Sequence, residues 1–327
     1  MTYVIIVTYG DRKQFLEQIL FFFNTYTSLQ LVIINNNSEY SVNEINLVLN
    51  NPNVFIINSA VNKGSAWGYK TGIQYACNQQ NCEMIWLLDD DNLPETNTLE
   101  ILQSQYEHLQ SHSNFKHFAL MPFRTDRSYL SNVIQGEPIK WNFPQKNAFL
   151  GFHIFKLHFK LVKKLNLLKR KSHSSNFVIP CAPYGGFFFH KDLIKLIGLP
   201  DERFFVYADD FEFTYRITEA GGAIFLIENA RISDLEQTWQ TKQSNTFSSN
   251  ILSVDNNKVY FSIRNFVFFQ KLHLVSNNFI FTFNRIIYSN YLSLLAFFTG
   301  KQFNYRRFLE ATNDGLKGNF NNKKYPI

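Results

Sequence analysis

The sequence predicts an α/β fold with a mainly parallel sheet, followed by a helical C-terminal segment. Short runs of β-branched and aliphatic residues alternate with segments of helical periodicity through residues 3–110, which is the pattern of βαβ units. Each of these apolar runs ends in glycine, asparagine, serine or aspartate. Residues 276–298 are rich in Phe, Leu and Ile but are interrupted by polar side chains, which indicates an amphipathic helix.

Four strands and three helices are predicted in the N-terminal part of the chain. The strands cover residues 3–9, 29–38, 53–59 and 83–88, and the helices cover 12–26, 66–78 and 95–110. Parallel sheets bind ligands at the carboxyl ends of their strands, so the polar residues that close these strands are expected to meet on one rim. Farther along, helices are predicted at 191–197 and 209–220, the second directly after an aromatic strand.

The cysteine count, the net charge and the lengths of the apolar runs exclude some classes of protein. The chain has 327 residues, a formal charge of +6 and three cysteines, Cys77, Cys82 and Cys181. The odd cysteine count without a CxxC pair argues against a disulfide framework and structural zinc, so a cytoplasmic setting is expected. Neither a signal peptide nor a confident transmembrane helix is predicted. The positive charge permits attraction to nucleic acid, to anionic lipid or to phosphorylated ligands and does not choose among them. Of these three classes of partner, nucleic acid is not predicted.

Three consecutive carboxylates follow a strand in "MIWLLDDDNLP", residues 84–94. Side chains two apart on an extended strand end point to the same side, so Asp89 and Asp91 could hold one divalent cation. Mg²⁺ or Mn²⁺ bound by carboxylates and substrate phosphates fits this pattern. The alternative is an acidic loop that caps the next helix.

Two other segments carry chemistry-bearing residues. In "VNKGSAWGYKTG", residues 61–72, Lys63 could meet a phosphate at a helix N-terminus, and the alternative is close helix–sheet packing through the glycines. In "FFVYADDFEFTYR", residues 204–216, a carboxylate could be a general base, and the alternative is helix N-capping. A metal site, a phosphate-facing helix start and a separate carboxylate together favour transfer from a nucleotide diphosphate donor.

These segments also carry a family resemblance. "VIIVTYGDR", "VIINNNS", "NKGSAWGYKTG", "WLLDDDNLP" and "GLPDERFFVYADDFEFTYRITEAGG" resemble, in order and spacing, the motifs of glycosyltransferase family 2, whose members have the GT-A fold. The resemblance implies a Rossmann-like, mainly parallel sheet with helices on both faces. It implies a catalytic domain at 1–235, divided near 122 into nucleotide-sugar and acceptor parts, and a mainly helical region at 236–327. "KVYFSIRNFVFF" and "NDGLKGNF" resemble the galactofuranosyl- and rhamnosyltransferase-like branch.

The resemblance assigns roles by position. Asp89 and Asp91 would bind Mn²⁺ or Mg²⁺, and Asp210, paired with Asp209, would be the catalytic base. Many members carry a third metal ligand, a histidine, where this chain has none; Asp234 would replace it, or the site would have two protein carboxylates. Thr8, Tyr9 and Asn35 would line the nucleobase pocket, Lys63 and Gly64 would lie along the nucleotide, and Asp89 or Asp90 would lie near the donor ribose. Gly185 and Gly186 would shape the acceptor loop, and the other substrate-binding positions would be Gly10, Asn36 and Asp209.

The resemblance implies an inverting, metal-dependent hexosyltransferase. It would move galactofuranose, rhamnose or a similar hexose from a UDP- or dTDP-sugar to a growing surface glycan, such as capsule or O-antigen, on a lipid carrier. A peripheral contact with the inner face of the cell membrane, through residues 276–298 or the basic stretch 157–175, stays open, as does oligomerisation. The alternatives are a nucleotidyltransferase and an inactive nucleotide- or glycan-binding partner in glycan assembly.

Overall fold

The computed structural model describes residues 1–156, 177–236, 251–252, 257–321 and 324. The basic stretch 157–175 therefore lies outside the described residues. The chain forms two compact units. The described residues of the first unit are 1–134, 177–205 and 209–236, and those of the second are 135–156, 206–208, 251–252, 257–321 and 324.

The first unit is built on a nine-stranded mixed sheet. Its strands are β1 Thr2–Gly10, β2 Leu29–Ser38, β3 Val54–Ser59, β4 Met84–Asp89, β5 Asn92–Pro94, β6 Phe118–Arg124, β7 Phe177–Ile179, β8 Phe188–His190 and β9 Ala223–Asp234. The order is β3-β2-β1-β4-β8-β6-β9-β5, with β7 also paired to β9. β1 to β4 are mutually parallel, as are β6 and β9, whereas β8 runs antiparallel between β4 and β6.

Eleven helices accompany this sheet in the described residues. They are α1 Lys13–Phe23, α2 Val42–Leu49, α3 Gly64–Cys77, α4 Thr98–His112, α5 Ser128–Ile134, α6 Ile139–Asn142, α7 Leu193–Ile197, α8 Asp209–Glu219, α9 Asn257–Phe269, α10 Asn278–Thr299 and α11 Gln302–Lys317. Of these, α6 and α9 to α11 belong to the second unit. Both the central sheet and the helical C-terminal region match the predicted fold class.

Helix α1 illustrates how the local sequence produces the first unit. Its buried residues Leu16, Ile19, Leu20 and Phe23 recur at intervals of three and four, so they form one apolar face. That face packs in the core with side chains of β1 and β2, such as Ile6. On α3, a Cβ at Gly68 would meet Val7 and one at Gly72 would meet Ile5, so these two glycines serve close packing of helix on sheet.

The register of the parallel strands brings the polar strand ends to one edge. Thr8 of β1 lies opposite Asn35 of β2, and Asn35 lies opposite Asn58 of β3. On the other side of β1, Val7 lies opposite Asp89 at the end of β4. The sheet edge therefore places the acidic triplet beside the other polar strand ends.

The predicted aromatic strand before Asp209 is wrong. Residues Glu202–Phe204 form a 3₁₀ turn instead. Three of the next four residues have positive φ, with 64° at Phe205, 69° at Tyr207 and 61° at Ala208. Such values do not occur in a β-strand, and outside glycine they are uncommon enough to mark a strained turn.

The second unit has its own apolar core. Phe149, Tyr260, Leu292 and Phe308 are among its buried members. Helix α10 begins where Asn277 Oδ1 accepts a hydrogen bond from the backbone N–H of Ile280 at 3.1 Å, an N-cap, and it ends at Gly300. In the part of the chain that the structure describes, no helix combines the length and apolar character needed to span a membrane.

Candidate active site

The acidic triplet is held by Arg12, which lies just after β1. Its Nε donates to Asp90 Oδ1 at 2.6 Å, and its Nη2 donates to Asp91 Oδ2 at 2.8 Å. Its Nη1 donates to Glu236 at 2.5 Å. Asp90 and Asp91 are both buried, so this one guanidinium compensates two carboxylates that the interior would otherwise destabilise.

A second cluster of charges surrounds Asp234 at the end of β9. Arg124, which is fully buried, donates through Nη2 to Asp234 Oδ1, and Arg127 Nη2 donates to Asp234 Oδ2 at 3.3 Å. Asn92 Nδ2 also donates to Asp234 Oδ1, at 2.7 Å. β5 pairs Asn92 with Asp234 in register, which brings this cluster beside the acidic triplet.

Negative charge exceeds positive charge in these two clusters. They contain three guanidinium groups, those of Arg12, Arg124 and Arg127, against six carboxyl groups, those of Asp89, Asp90, Asp91, Asp126, Asp234 and Glu236. Burial raises the pKa of Asp90 to about 6 and the pKa values of Asp91 and Asp234 to about 7, and neighbouring carboxylates add to the rise at Asp91 and Asp234. A surplus of hard oxygen ligands is the chemistry that Mg²⁺ or Mn²⁺ requires, so the residues fit a divalent cation.

Asp89 differs from its neighbours because its side chain is 42% exposed. Asp89 Oδ1 accepts a hydrogen bond from the Tyr69 hydroxyl at 2.7 Å. Its other oxygen lies 3.8 Å from Arg124 Nη1. Asp89 is thus the member of the triplet that is oriented by protein contacts and still open to a ligand.

Helix α3 links Asp89 to the downstream acidic pair. Ser65 Oγ donates to Asp209 Oδ2 at 2.9 Å, and Tyr69, four residues later, donates to Asp89. Residues four apart on a helix have Cβ atoms about 6 Å apart. Asp209 and Asp89 therefore contact adjacent turns of one helix face, which brings the acidic pair beside the triplet.

The two acids of that pair have different surroundings. Asp209 is buried, whereas Asp210 is partly exposed and its Oδ1 accepts from the backbone N–H of Phe211 at 2.8 Å. Burial, followed by the charge of Asp210, raises the pKa of Asp209 well above its usual range. Desolvation also raises the pKa of Asp210, to about 6, with Asp89 adding to the rise and Arg127 opposing it. At neutral pH Asp209 holds its proton more firmly, and Asp210 is the ionised member.

Glu212, the third acidic residue of the segment 204–216, forms an ion pair that stabilises the fold. Arg216 Nε donates to Glu212 Oε1 at 2.8 Å. Arg216 Nη1 donates to the backbone oxygens of Ile197 and Leu199, each at 2.9 Å. This pair therefore connects α8 to the end of α7.

The predicted nucleobase positions lie together at the ends of β1 and β2. Thr8 is buried with its Oγ1 2.6 Å from the Tyr40 hydroxyl, while Tyr9 is 50% exposed beside Gly10. Asn35 Nδ2 donates to Asn58 Oδ1 at 2.8 Å, and its Oδ1 accepts from the Ser38 N–H at 2.9 Å. An exposed aromatic ring can stack on a nucleobase, and neighbouring amide groups can hydrogen-bond to the edge of that base.

Asn36 joins this edge to the start of α3. Its Oδ1 accepts from the backbone N–H of Lys63 at 2.9 Å, and its Nδ2 donates to Asn62 Oδ1 at 2.9 Å. The Lys63 ammonium lies 4.5 Å above the Trp67 ring. Gly64 has φ +85°, and a Cβ there would collide with the Phe205 carbonyl. Only glycine therefore allows α3 to begin against the turn that precedes the acidic pair.

The predicted acceptor-loop glycines lie against the acidic triplet. A Cβ at Gly185 would collide with Asn92 Oδ1, Arg124 Nη1 and Asp89 Oδ2. The Gly185 carbonyl also accepts from Arg124 Nη1 at 3.2 Å. Gly186 has φ +107° and packs on Pro122 and Ile232. The absence of a side chain at 185 keeps Asp89 accessible.

Sequence reasoning missed several residues of this site. Arg12 belongs to "YGDRK" directly after β1, and its position on the rim was a usable signal. Arg124 is the last residue of β6 and Arg127 follows that strand, which the sequence did not predict. Among the described residues no ready group of three His, Cys, Asp or Glu is arranged to hold a metal. Each of the three carboxylates proposed as metal ligands contacts an arginine instead: Asp91 contacts Arg12, and Asp89 and Asp234 contact Arg124.

The fold is that of GT-A glycosyltransferases. It is similar to the structure of GalNAc-T7 with UDP, GalNAc and Mn²⁺, with TM-score 0.54 and 14% identity over 83% of this chain and 48% of that chain. It is also similar to the mannosyltransferase PcManGT from Pyrobaculum calidifontis in complex with GDP-Man and Mn²⁺, with TM-score 0.51 and 14% identity over 95% of this chain and 73% of that one. The chain spans about half the length of the GalNAc-T7 chain.

Residues 3–165 match the family model described as glycosyl transferase family 2. The matched segment contains the rim of β1 and β2, the start of α3 and the acidic triplet. No curated protein is similar enough in sequence to count as a relative.

Proposed function

We propose that the protein is an inverting, metal-dependent glycosyltransferase that uses a nucleotide sugar. The observation that carries the proposal is the contact of Ser65 with Asp209 and of Tyr69 with Asp89 on successive turns of α3. This arrangement sets a candidate base, Asp210, beside a carboxylate cluster suited to a diphosphate-bound cation. The family 2 match and the GT-A fold support the same class.

Asp89 and Asp91 are the residues that would hold the cation. A divalent ion bound there would neutralise the diphosphate leaving group. Both oxygens of Asp234 accept from arginines, Arg124 and Arg127. Asp91, in contrast, gives only Oδ2 to an arginine, and its Oδ1 accepts from the neutral Asn92 amide at 3.2 Å. The two-carboxylate alternative is therefore the one that we favour. The structural neighbours described with Mn²⁺ support a divalent metal without choosing between Mn²⁺ and Mg²⁺.

Asp210 would take the proton of the acceptor hydroxyl. Asp209 retains its own proton in its buried position, so it keeps Asp210 as the ionised and more accessible acid. The acceptor oxygen then forms a bond to the anomeric carbon while the bond to the diphosphate oxygen breaks. Attack opposite the leaving group inverts the configuration at that carbon.

The substrates follow from the nucleobase rim and the resemblance. The exposed ring of Tyr9 would stack on the base, and the Asn35 amide would pair with its edge, which suits uracil or thymine. A UDP- or dTDP-hexose, such as galactofuranose or rhamnose, is the donor that we expect, with a hydroxyl of a growing, lipid-linked surface glycan as acceptor. One structural neighbour is described with UDP and another with GDP-Man. GDP-sugars are therefore the donors with which UDP- and dTDP-sugars should be compared.

The experiment measures transfer and donor hydrolysis with UDP-, dTDP- and GDP-sugars, with and without Mn²⁺. Asp210→Asn should lower the rate by about 10²- to 10⁴-fold while donor binding persists. Asp192→Asn is the matched control, since Asp192 is exposed and pairs with Lys195 at 2.6 Å. Unchanged turnover in Asp210→Asn would refute the mechanism.

Two other outcomes distinguish the alternatives. Release of pyrophosphate from a nucleoside triphosphate and a sugar phosphate would identify a nucleotidyltransferase. Metal-dependent nucleotide binding without turnover on any donor, in wild type as in Asp210→Asn, would identify an inactive binding partner.

A further inference from the structure

Helix α10 is apolar on two opposite faces. Phe281, Tyr288, Leu292 and Ala296 are buried in the core of the second unit. On the other side the side chains are exposed, by 79% at Phe279, 69% at Phe297 and 61% at Leu294, and Phe283 and Ile286 complete the stripe. A surface helix of a soluble protein normally carries polar residues on its outer face.

This outer stripe, Phe279, Phe283, Ile286, Leu294 and Phe297, runs along the helix and is interrupted once by the exposed Asn290. Its members are separated by intervals of four, three, eight and three residues, which return to the same side of an α-helix. Eighteen residues at 1.5 Å rise give a length of about 27 Å. Phe298, 81% exposed, and Phe303, 62% exposed, extend the apolar surface beyond its end. With aromatic side chains of roughly 200 Å² each, the patch exceeds what isolated surface residues explain.

The charges of the helical C-terminal region indicate what covers the stripe. Residues 257–321 contain eight lysines and arginines, Lys258, Arg264, Lys271, Arg285, Lys301, Arg306, Arg307 and Lys317, against two acids, Glu310 and Asp314. Asp314 is buried, and Glu310 pairs with Lys324 at 2.6 Å. α10 itself has no acidic residue. Arg264 and Arg307 are buried, whereas the other six cations are exposed or partly exposed. An apolar stripe on a part of the chain with this excess of positive charge complements an anionic, partly apolar surface, and two copies with the same excess would repel each other.

We propose that the outer stripe of α10 docks on the surface of an anionic lipid bilayer. The helix lies in the interface with its rings among the acyl chains, while exposed cations such as Arg306 contact lipid headgroups. This inference goes beyond the proposed transfer reaction and does not depend on it. It would bring the chain to the surface where lipid-linked acceptors are found.

The test measures co-sedimentation of the full chain with vesicles of phosphatidylcholine alone and of phosphatidylcholine with 40% phosphatidylglycerol. Phe297→Asp should lower binding to the anionic vesicles by about tenfold or more, since one buried aromatic ring is lost. Phe21→Asp is the matched control, because Phe21 is 70% exposed on α1 of the first unit; it should bind as wild type does. Arg306→Gln should weaken binding roughly fivefold, and added salt should do the same.

Three results would overturn the proposal. The first is absence of binding to the anionic vesicles, and the second is equal binding by wild type and Phe297→Asp with both proteins folded by circular dichroism. The third is a wild-type dimer that Phe297→Asp converts to monomer, which would make the stripe a subunit interface. Transfer to a water-soluble acceptor, and hydrolysis of the donor by water, should be unchanged in Phe297→Asp, so failure of docking and failure of the transfer reaction are separate outcomes.

Discussion

Asn265 Nδ2 donates a hydrogen bond to the Val206 carbonyl at 2.7 Å. The same group lies 3.0 Å from the Tyr207 carbonyl, and the amide oxygen of Asn265 accepts from Arg264 Nε at 2.9 Å. The arginine thereby fixes the amide orientation, and the amide holds the backbone of the turn with positive φ values. Ala208 ends that turn and is followed directly by Asp209 and Asp210 in the chain.

Replacing Asn265 should impair catalysis through the turn. Asn265→Ala leaves two carbonyls without their donor, so we expect a loss of about 1–3 kcal/mol in unfolding free energy. A strained turn that loses its restraint relaxes, and misplacement of Asp210 should lower kcat by roughly 10- to 100-fold. Steady-state kinetics should show the KM for the donor nearly unchanged. Asn290→Ala, at an exposed position of α10, is the control, and a wild-type kcat in Asn265→Ala would contradict the prediction.

The dependence of kcat on pH should follow the ionisation of Asp210. A base must be ionised, and desolvation raises the pKa of Asp210 to about 6. We therefore expect log kcat to fall with unit slope below about pH 6 and to level off above it. Because Arg127 opposes the rise in this pKa, Arg127→Gln should move the acid limb to higher pH. The exposed Arg231→Gln should leave it in place, and a profile that is flat from pH 5 to 8 would argue against Asp210.

The contribution of Arg12 to folding stability should be largest above neutral pH. The folded-state pKa of Asp91 is raised to about 7 from 3.8, so its protonated form is favoured by folding. The associated stability is present below about pH 4 and is lost as pH rises through 7. Arg12→Gln removes the cation that opposes this loss, so the Tm deficit relative to wild type should be larger at pH 8 than at pH 5.5. Thermal melts at both pH values check this.

Two further measurements extend the Arg12 experiment: the addition of Mn²⁺ and a control variant. Mn²⁺ should recover part of the Tm deficit at pH 8, since a bound cation compensates the same carboxylates. Arg203→Gln removes an exposed ion pair with Asp201 and should show a small deficit at either pH. A deficit of equal size at both pH values in Arg12→Gln would show that the guanidinium acts by packing alone.

Gly185 should be intolerant of a methyl group. In Gly185→Ala the new Cβ would displace Asp89 and Asn92, so metal-dependent donor binding should weaken by tenfold or more, on the order of 1.4 kcal/mol. Calorimetric titration of the donor with Mn²⁺ measures this. Gly151→Ala is the control, because it has positive φ but nothing within 4 Å of the added Cβ. Normal affinity in Gly185→Ala would place the donor elsewhere.

The sequence predicted the parallel part of the sheet well because its strands are long, apolar and punctuated by polar residues. β1, β2, β3 and β4 lie within one residue of their predicted bounds at either end. The short strands β5, β7 and β8 have three residues each, too few to show a period. The acidic residues of the site were predicted because those of each group stand next to one another in the sequence. Their arginine partners were not, since Arg12 and Arg124 reach Asp90 and Asp234 across 78 and 110 residues of chain.

The turn before Asp209 shows a different limit. "FFVYA" is a strand-like sequence by composition, yet Phe205, Tyr207 and Ala208 have positive φ. The tertiary contacts of Gly64 and Asn265 impose that conformation, and neither residue is close in sequence. Local preference and final conformation disagree at the point where the proposed chemistry occurs, which is common at functional sites.

The stacking of Lys63 on Trp67 has an experimental use. Trp67 is partly exposed next to the residues expected along the nucleotide, while Trp86 is fully buried and donates from Nε1 to the Gly186 carbonyl at 3.0 Å. A phosphate that moves the ammonium away from the indole should change the intrinsic fluorescence of Trp67, which is measured against the emission of the other three tryptophans, Trp86, Trp141 and Trp239. The protein therefore carries its own optical reporter, and donor candidates can be screened without a label.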